Sequence, residues 1–419
     1  MKNFCLLKNR IQEYAWGSHT AIADLLGAPS PSTKPQAELW MGAHPRAPSE
    51  VLVDGSWQPL PAVLKRWPLE ILGRRAADPS GNTFPFLFKV LAAAKPLSIQ
   101  AHPNIQQARD GFARENKLGI PVDAPNRNYR DAHHKPELIC ALTPFWALNG
   151  FRAPATIVSL LGAVSSSALS RPARELEQSP DAAGLSRFFE TIMTMQESRR
   201  HDAVEQAVAY ARDHEGDDPT SMWMLKLHAE YPGDIGVLSP LLLNLVQLRP
   251  GQAMFLGAGR LHAYLDGVGM EVMANSDNVL RGGLTPKHID VPELLTVLHF
   301  DHQELAILEA KKRAPCERVY KAAREFQLAV ISVSDGSSYK SPKNRGVEIL
   351  ICTQGSAVAT NLESNATLTL SRGMSALVPA ALRQYTIEGV ATLYKTSVPQ
   401  QARDRIKDGV ADESSTSRP

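Results

Sequence analysis

The segment Pro96-Leu97-Ser98-Ile99-Gln100-Ala101-His102-Pro103 alternates apolar and polar residues with period two. That pattern predicts a half-buried strand, with Leu97, Ile99 and Ala101 on one face and Ser98, Gln100 and His102 on the other. An imidazole and an amide oxygen on one wall can hold a metal ion. A second segment, His133-His134-Lys135-Pro136-Glu137, offers a carboxylate and two imidazoles, either of which could be a ligand. A third, Gly259-Arg260-Leu261-His262-Ala263-Tyr264, offers another imidazole, flanked at period two by Arg260 and Tyr264. Two His, one Glu and one Gln make a four-point N/O site suited to a divalent cation. Each segment alone has a plainer reading: an exposed strand face, a solvated His-His-Lys loop, a core histidine with its hydrogen bond satisfied. Their combination favours the metal.

Other polar groups fit around such a site. Lys135 and Glu137 share a face if their stretch is extended, and a Lys beside a metal-bound carboxylate suits a phosphate or a developing oxyanion. The run from Met270 to Lys287 is dense in polar residues between glycine breaks. Arg281 precedes Gly282-Gly283, where the backbone can approach a ligand closely. Lys287 follows six residues later, so both cations can reach one anion. There is no Gly-rich phosphate loop, no dinucleotide fingerprint and no Gly-x-Ser-x-Gly.

The elements that must position these groups are read from texture. Residues 1 to about 150 predict short strands such as Glu50–Val53 and Phe86–Leu91, punctuated by Pro and Gly. From Thr156 to about His228 the pattern is helical, in two or three amphipathic pieces, with Leu185, Phe188, Phe189, Ile192 and Met193 on one face. Strands return at Leu245–Leu248 and Ala253–Leu256, around the turn Arg249-Pro250-Gly251-Gln252. Beyond about 315 the chain is strand-rich, at Val347–Ile351, Ala366–Leu370 and Ala391–Lys395, which suggests an antiparallel sandwich or barrel. All 12 histidines precede residue 303, so the C-terminal part has no imidazole for a metal. The chemistry therefore belongs to the first strand-rich part plus residues 250–290, with the helices inserted between them.

At 419 residues, the chain is long enough for two or three domains. With 45 basic and 43 acidic residues, a net charge of +2 gives no reason to invoke nucleic acid. No apolar run reaches membrane-spanning length, and the N-terminal apolar stretch is too short for a signal peptide. Cys5, Cys140, Cys316 and Cys352 are scattered, which reads as free thiols in a reducing compartment. A cytoplasmic location is expected. The stretch 401–419, small and polar near its end, is expected to be a disordered tail.

Taken in order, several stretches resemble the type I mannose-6-phosphate isomerases, zinc enzymes of the cupin superfamily. They are Asn9–Ser18, Ala37–Pro45, Pro85–Leu91, Leu97–Pro103, His134-Lys135-Pro136-Glu137 and Ala274–Lys287. The resemblance implies a mainly β fold with an α-helical insertion: two cupin-type jelly-roll barrels plus a helical domain. The corresponding boundaries are 1–150 with 247–310 for a discontinuous catalytic cupin domain, 151–246 for the helical insertion and 311–400 for a metal-free C-terminal cupin. It implies one zinc per chain on Gln100, His102, Glu137 and His262, and an active-site role for Arg281. Trp16, Lys89, Ser98, Lys135, Tyr264, Glu271, Asp277 and Lys287 match pocket-lining residues.

The implied reaction interconverts mannose 6-phosphate and fructose 6-phosphate through a cis-enediol. Within it Arg281, Glu271 and Lys135 are the expected catalytic residues, Glu271 being the favoured base with zinc-bound hydroxide and Lys135 as rivals. Trp16, Lys89, Ser98, Tyr264, Asp277 and Lys287 are the expected substrate contacts, with Lys89, Ser98 and Lys287 on phosphate. The partner is a small sugar phosphate, with neither nucleic acid nor membrane, and a monomer is expected. The alternatives are a non-catalytic sugar-phosphate-binding cupin and an iron-dependent cupin oxygenase. A fourth protein ligand argues against the oxygenase, because oxygen activation needs open positions.

Overall fold

The computed structural model describes residues 1–73, 84–302 and 305–399; the expected tail at 401–419 lies outside them. Among the described residues the fold is mainly β, built on two eleven-stranded sheets, with a block of helices between strands of the first.

The strand His262–Met273 organises the first of these sheets. Its second part, from Gly267, pairs antiparallel with Leu87–Ala93 on one side and Glu137–Ala141 on the other. Its first part pairs with Phe145–Phe151 and, at His262, with Gln100 of the strand Ile99–Ala101. The change of partners falls at an irregularity between Tyr264 and Asp266. Gly267 follows with φ 121, and a Cβ there would lie 2.6 Å from the Pro144 carbonyl oxygen. Only glycine turns this corner without a clash. The extra residue resets the alternation of faces. Even-numbered His262 and Tyr264 before it, and odd-numbered Glu271 and Met273 after it, therefore serve the same interior, while Met270 and Val272 pack into the core between the sheets.

The helical insertion contains five long helices rather than the two or three pieces expected: Pro154–Val164, Ser167–Gln178, Ala182–Met193, Glu197–Asp213 and Pro219–Glu230. Their connections are short and polar, too brief to interrupt the apolar periodicity. The stops are local. Ser165 takes a left-handed conformation, and Asp181 and Asp218 cap the helices that follow them. The expected face is buried through Leu185, Phe188, Phe189 and Ile192. It packs against Phe151 and Phe300 from the β part.

The second sheet carries the predicted C-terminal strands, now Glu348–Asn361, Thr367–Ser371 and Tyr385–Ser397. It also takes three N-terminal strands, Cys5–Lys8, Glu50–Val53 and Ser56–Pro59, which continue it beyond Ser375–Val378. Residues 1–150 thus supply both sheets, not the first barrel alone. Short strands carry no signal of which partner they join, because pairing is a tertiary event.

The C-terminal barrel buries charge in place of imidazole. Lys395 is wholly buried, its Nζ 2.7 Å from Glu317 Oε1, 3.7 Å from Glu348 Oε1 and 2.6 Å from the Tyr339 hydroxyl. Tyr385 donates to Glu348 at 2.8 Å. Removing one member of a buried ion pair costs more than forming the pair gains, because the partner is stranded. Lys395→Met should therefore lower stability by about 3–5 kcal/mol, read as a fall in the urea midpoint. An unchanged midpoint would show that the network is not under this electrostatic constraint.

Candidate metal centre

His102, Glu137 and His262 come together as expected. One ligand atom from each lies within 4.8 Å of the others, and all three residues are buried. His102 Nε2 is 3.4 Å from Glu137 Oε1, and His262 Nε2 is 3.6 Å from Glu137 Oε2. The far side of each ring is occupied: His102 Nδ1 lies 2.8 Å from the Asn278 carbonyl oxygen and His262 Nδ1 lies 2.9 Å from that of Arg260. A carbonyl can only accept, so each Nδ1 carries the proton and each Nε2 presents a lone pair. Both Nε2 atoms are buried with no hydrogen-bond partner. Two orphaned imidazole lone pairs facing one carboxylate is the donor arrangement a divalent cation satisfies.

The protonation states agree. Burial, with Lys135 nearby, pushes the His102 imidazole down to about 4, so it is a free base at neutral pH. Burial works against the Glu137 charge, but the Lys135 ammonium at 2.9 Å outweighs it and holds the carboxyl well below the usual range. Lys135 and Glu137 do share a face. Gln100 lines the cavity above this floor, paired in register with His262 on one side and Arg281 on the other.

Beside the trio lies a second buried cluster. Lys89 and Glu271 are direct cross-strand partners, Nζ to Oε2 2.9 Å. Glu38 Oε1 stands 3.6 Å from the same ammonium, Trp40 donates to Glu38 at 2.5 Å, and the Tyr264 hydroxyl donates to Glu271 at 3.0 Å. Desolvation raises the Glu271 pKa, and the nearby carboxylates of Glu137 and Glu38 add to that rise against the pull of Lys89. Lys89 stays protonated although burial opposes it, because Glu271 and Glu38 flank it.

The cavity above both clusters holds about 540 Å³. Every expected site residue lines it except His102 and His262, which close its floor. Its other end is cationic. Arg281 and Lys287 face it as expected, joined by Arg130. Among the described residues none of these three has a carboxylate partner. Burial lowers the Arg281 and Lys287 pKa values, and the crowding of cations, Arg130 included, lowers them further. An anion is what relieves such crowding.

Some expectations shift. Lys89 lines the cavity, but its charge is committed to two carboxylates, so it is not the free cation a phosphate contact needs. Arg260 lies just before the strand that carries His262 and Tyr264, and lines a different cavity. Of the two candidate imidazoles in the second segment, His133 is exposed and His134 pairs with Glu325 at 2.9 Å; neither joins the trio. Arg130, Arg46, Glu38 and Trp40 were not singled out as site residues. Glu38 and Trp40 lie inside the recognised stretch Ala37–Pro45, Arg46 directly follows it, and Arg130 lies five residues before Lys135, so each had a nearby motif that could have found it.

The segment bearing Arg130 is long but pinned. The helix Ile105–Lys117 starts with a capping box between Asn104 and Gln107. From that helix, buried Glu115 pairs with Arg127 at 2.8 Å and accepts the backbone N–H groups of Asn128 and Tyr129.

The sequence matches the family models "Phosphomannose isomerase type I, catalytic domain" over residues 4–154 and "Phosphomannose isomerase type I, helical insertion domain" over residues 160–243. The chain is 44% identical to the mannose-6-phosphate isomerase of Escherichia coli (strain K12), over 91% of this chain and 96% of that one. It is 35% identical to the mannose-6-phosphate isomerase of Homo sapiens, over 87% and 90%. A crystal structure of the Salmonella typhimurium mannose 6-phosphate isomerase, bound to fructose 6-phosphate and zinc, superposes with a TM-score of 0.87 at 40% identity, covering 94% of this chain and 99% of that one.

Asp277 at the cavity rim generates a pH prediction. Burial opposes its charge, but His44 at 3.5 Å and Arg46 at 2.7 Å outweigh it and hold the carboxyl at about 2. A depressed folded pKa contributes stability above the unfolded value of about 3.9, and that stability is lost as pH falls through about 2. Asp277→Asn should therefore be less stable than the wild type at pH 7. The gap in urea midpoint should shrink toward about pH 2; a gap independent of pH would contradict the pairing.

Proposed function

The chain belongs to the type I phosphomannose isomerase family, and from that premise we propose that it interconverts D-mannose 6-phosphate and D-fructose 6-phosphate with one zinc ion per chain. The observation that carries this is the pair of orphaned Nε2 atoms facing Glu137 at the floor of a cavity whose other end is cationic. Gln100, His102, Glu137 and His262 hold the metal. Zinc bound there supplies a Lewis acid that polarises sugar oxygens.

The residues around it divide the remaining work. The phosphate lies at the cationic end, on Lys287 and Arg130, with the Ser98 hydroxyl on the adjoining wall. Glu271 is the base that takes the proton from carbon 2 of the open aldose as oxygen 1 gains a proton, giving a cis-enediol; the oxygen-2 proton then leaves, replacing the one taken up at oxygen 1, as Glu271 returns its proton to carbon 1. Burial raises its carboxyl above the ordinary carboxylate range, which suits a group that both takes and returns the proton. Tyr264 fixes the orientation of Glu271, and the Lys89 ammonium opposes the rise of that carboxyl. Arg281 bridges the two ends: it is paired in register with Gln100 and crowded against the phosphate-end cations. Its fixed charge stabilises the enediol oxygens. Lys135 neutralises Glu137 and stays within reach of the same oxygens. Trp16 and Asp277 complete the walls. All four cysteines are free, which suits a cytoplasmic setting.

A coupled assay for fructose 6-phosphate formation from mannose 6-phosphate, with and without chelator, tests the reading; no turnover by the zinc-loaded protein would refute it. Arg281→Ala should lower kcat by at least ~100-fold, the scale of losing one preorganised charge stabiliser, while zinc content holds. Activity within about threefold of wild type would remove that role. His262→Ala should lose metal and activity together, and stoichiometric zinc in an inactive variant would take His262 out of the ligand set.

A further inference from the structure

The two imidazoles of the trio are oriented in different ways. His262 donates to the Arg260 carbonyl, two residues away on its own chain segment. His102 donates to the Asn278 carbonyl, 176 residues away. The direction of the His102 lone pair is therefore only as well fixed as the loop that carries Asn278.

That loop is held by the Asn278 side chain. The residue is completely buried. Its Oδ1 accepts the backbone N–H groups of Arg130 at 2.7 Å and Asp131 at 3.2 Å. Its Nδ2 donates to the backbone carbonyls of Asp131 at 2.9 Å and His133 at 2.8 Å. The amide is fully used, and its orientation is dictated: reversed, it would set two N–H donors against its own NH₂. The Asp131 carboxylate ties the knot from the other side, accepting the Ser276 hydroxyl at 2.9 Å and the Asp277 backbone N–H at 2.8 Å.

We infer that Asn278 is a positioning residue: by clamping residues 130–133 to residues 276–278, its carboxamide aims the His102 ring at the metal and sets zinc affinity. The clamp also fixes the backbone of Arg130 and leads directly into Lys135, so the cationic end and the metal floor share one brace. This inference rests on the proposed zinc site.

Asn278→Asp is the sharpest test, being nearly isosteric. It keeps the acceptor half and sets a carboxylate oxygen against two carbonyl oxygens and, at 3.3 Å, against the Asp131 carboxylate, so the donor half of the clamp fails. The zinc dissociation constant, measured by competition with a chromophoric chelator, should rise ~10–100-fold, the usual cost of losing an orienting group behind a metal ligand. The visible spectrum of the cobalt-substituted variant should also change, since the geometry at His102 changes while His262 keeps its own acceptor. Ser276→Ala, which removes one hydroxyl from the knot, should show a smaller rise and serves if the aspartate variant does not fold. Zinc affinity within threefold of wild type, with an unaltered cobalt spectrum, overturns the inference even if thermal stability has dropped. A wild-type protein that binds no zinc would instead overturn the proposed function on which it rests.

Discussion

The site depends on one constraint: each imidazole of the buried trio spends its Nδ1 proton on a backbone carbonyl. Once that bond is made, the tautomer is settled and the Nε2 lone pair must point inward. Burial then leaves that lone pair no water to accept from, and an unsatisfied buried acceptor costs about 1–3 kcal/mol. Two such atoms beside an ionised carboxylate form a site whose polar demand a cation meets. The cost of holding them unsatisfied falls on the fold, on the strand His262–Met273 and the braced loops around it.

Around this floor the barrel interior is ordered by charge rather than by apolar packing alone. Lys135 offsets Glu137, and Lys89 stands between Glu271 and Glu38. Each buried carboxylate has a cation close enough to keep it from becoming a stranded charge. The C-terminal barrel repeats the device with Lys395 between Glu317 and Glu348. There no imidazole accompanies it, and among the described residues no His/Cys/Asp/Glu cluster with metal-binding geometry forms in that barrel. A similar internal salt bridge thus lies beside a polar cavity in one barrel and in a packed interior in the other. What separates them is whether histidine lone pairs are left facing the bridge.

Much of the site was legible in the chain. Period-two alternation placed Ser98 and Gln100 on the wall that became the cavity. The Lys135–Glu137 spacing gave a shared face, and Arg281 and Lys287 converge on one cavity as their separation allows. Histidine distribution alone excluded the C-terminal barrel from imidazole ligation. These features are local: strand alternation and composition act within a few residues, so they survive being read without coordinates.

The rest was decided by contacts far apart in sequence. Simple alternation along residues 262–273 would put His262 and Glu271 on opposite faces; the irregularity before Gly267 brings them to one. Three N-terminal strands join the second sheet because their partners lie there, a choice no strand carries in itself. Lys89 reads as a free cation until Glu38 and Glu271 are seen on either side of it, and His134 reads as a ligand until Glu325 is found beside it. The sequence by itself determined which residues could bind a cation. Tertiary structure decided which of them face one another, because a side chain's charge and its lone pairs acquire a role only from the groups that burial places within a few ångströms.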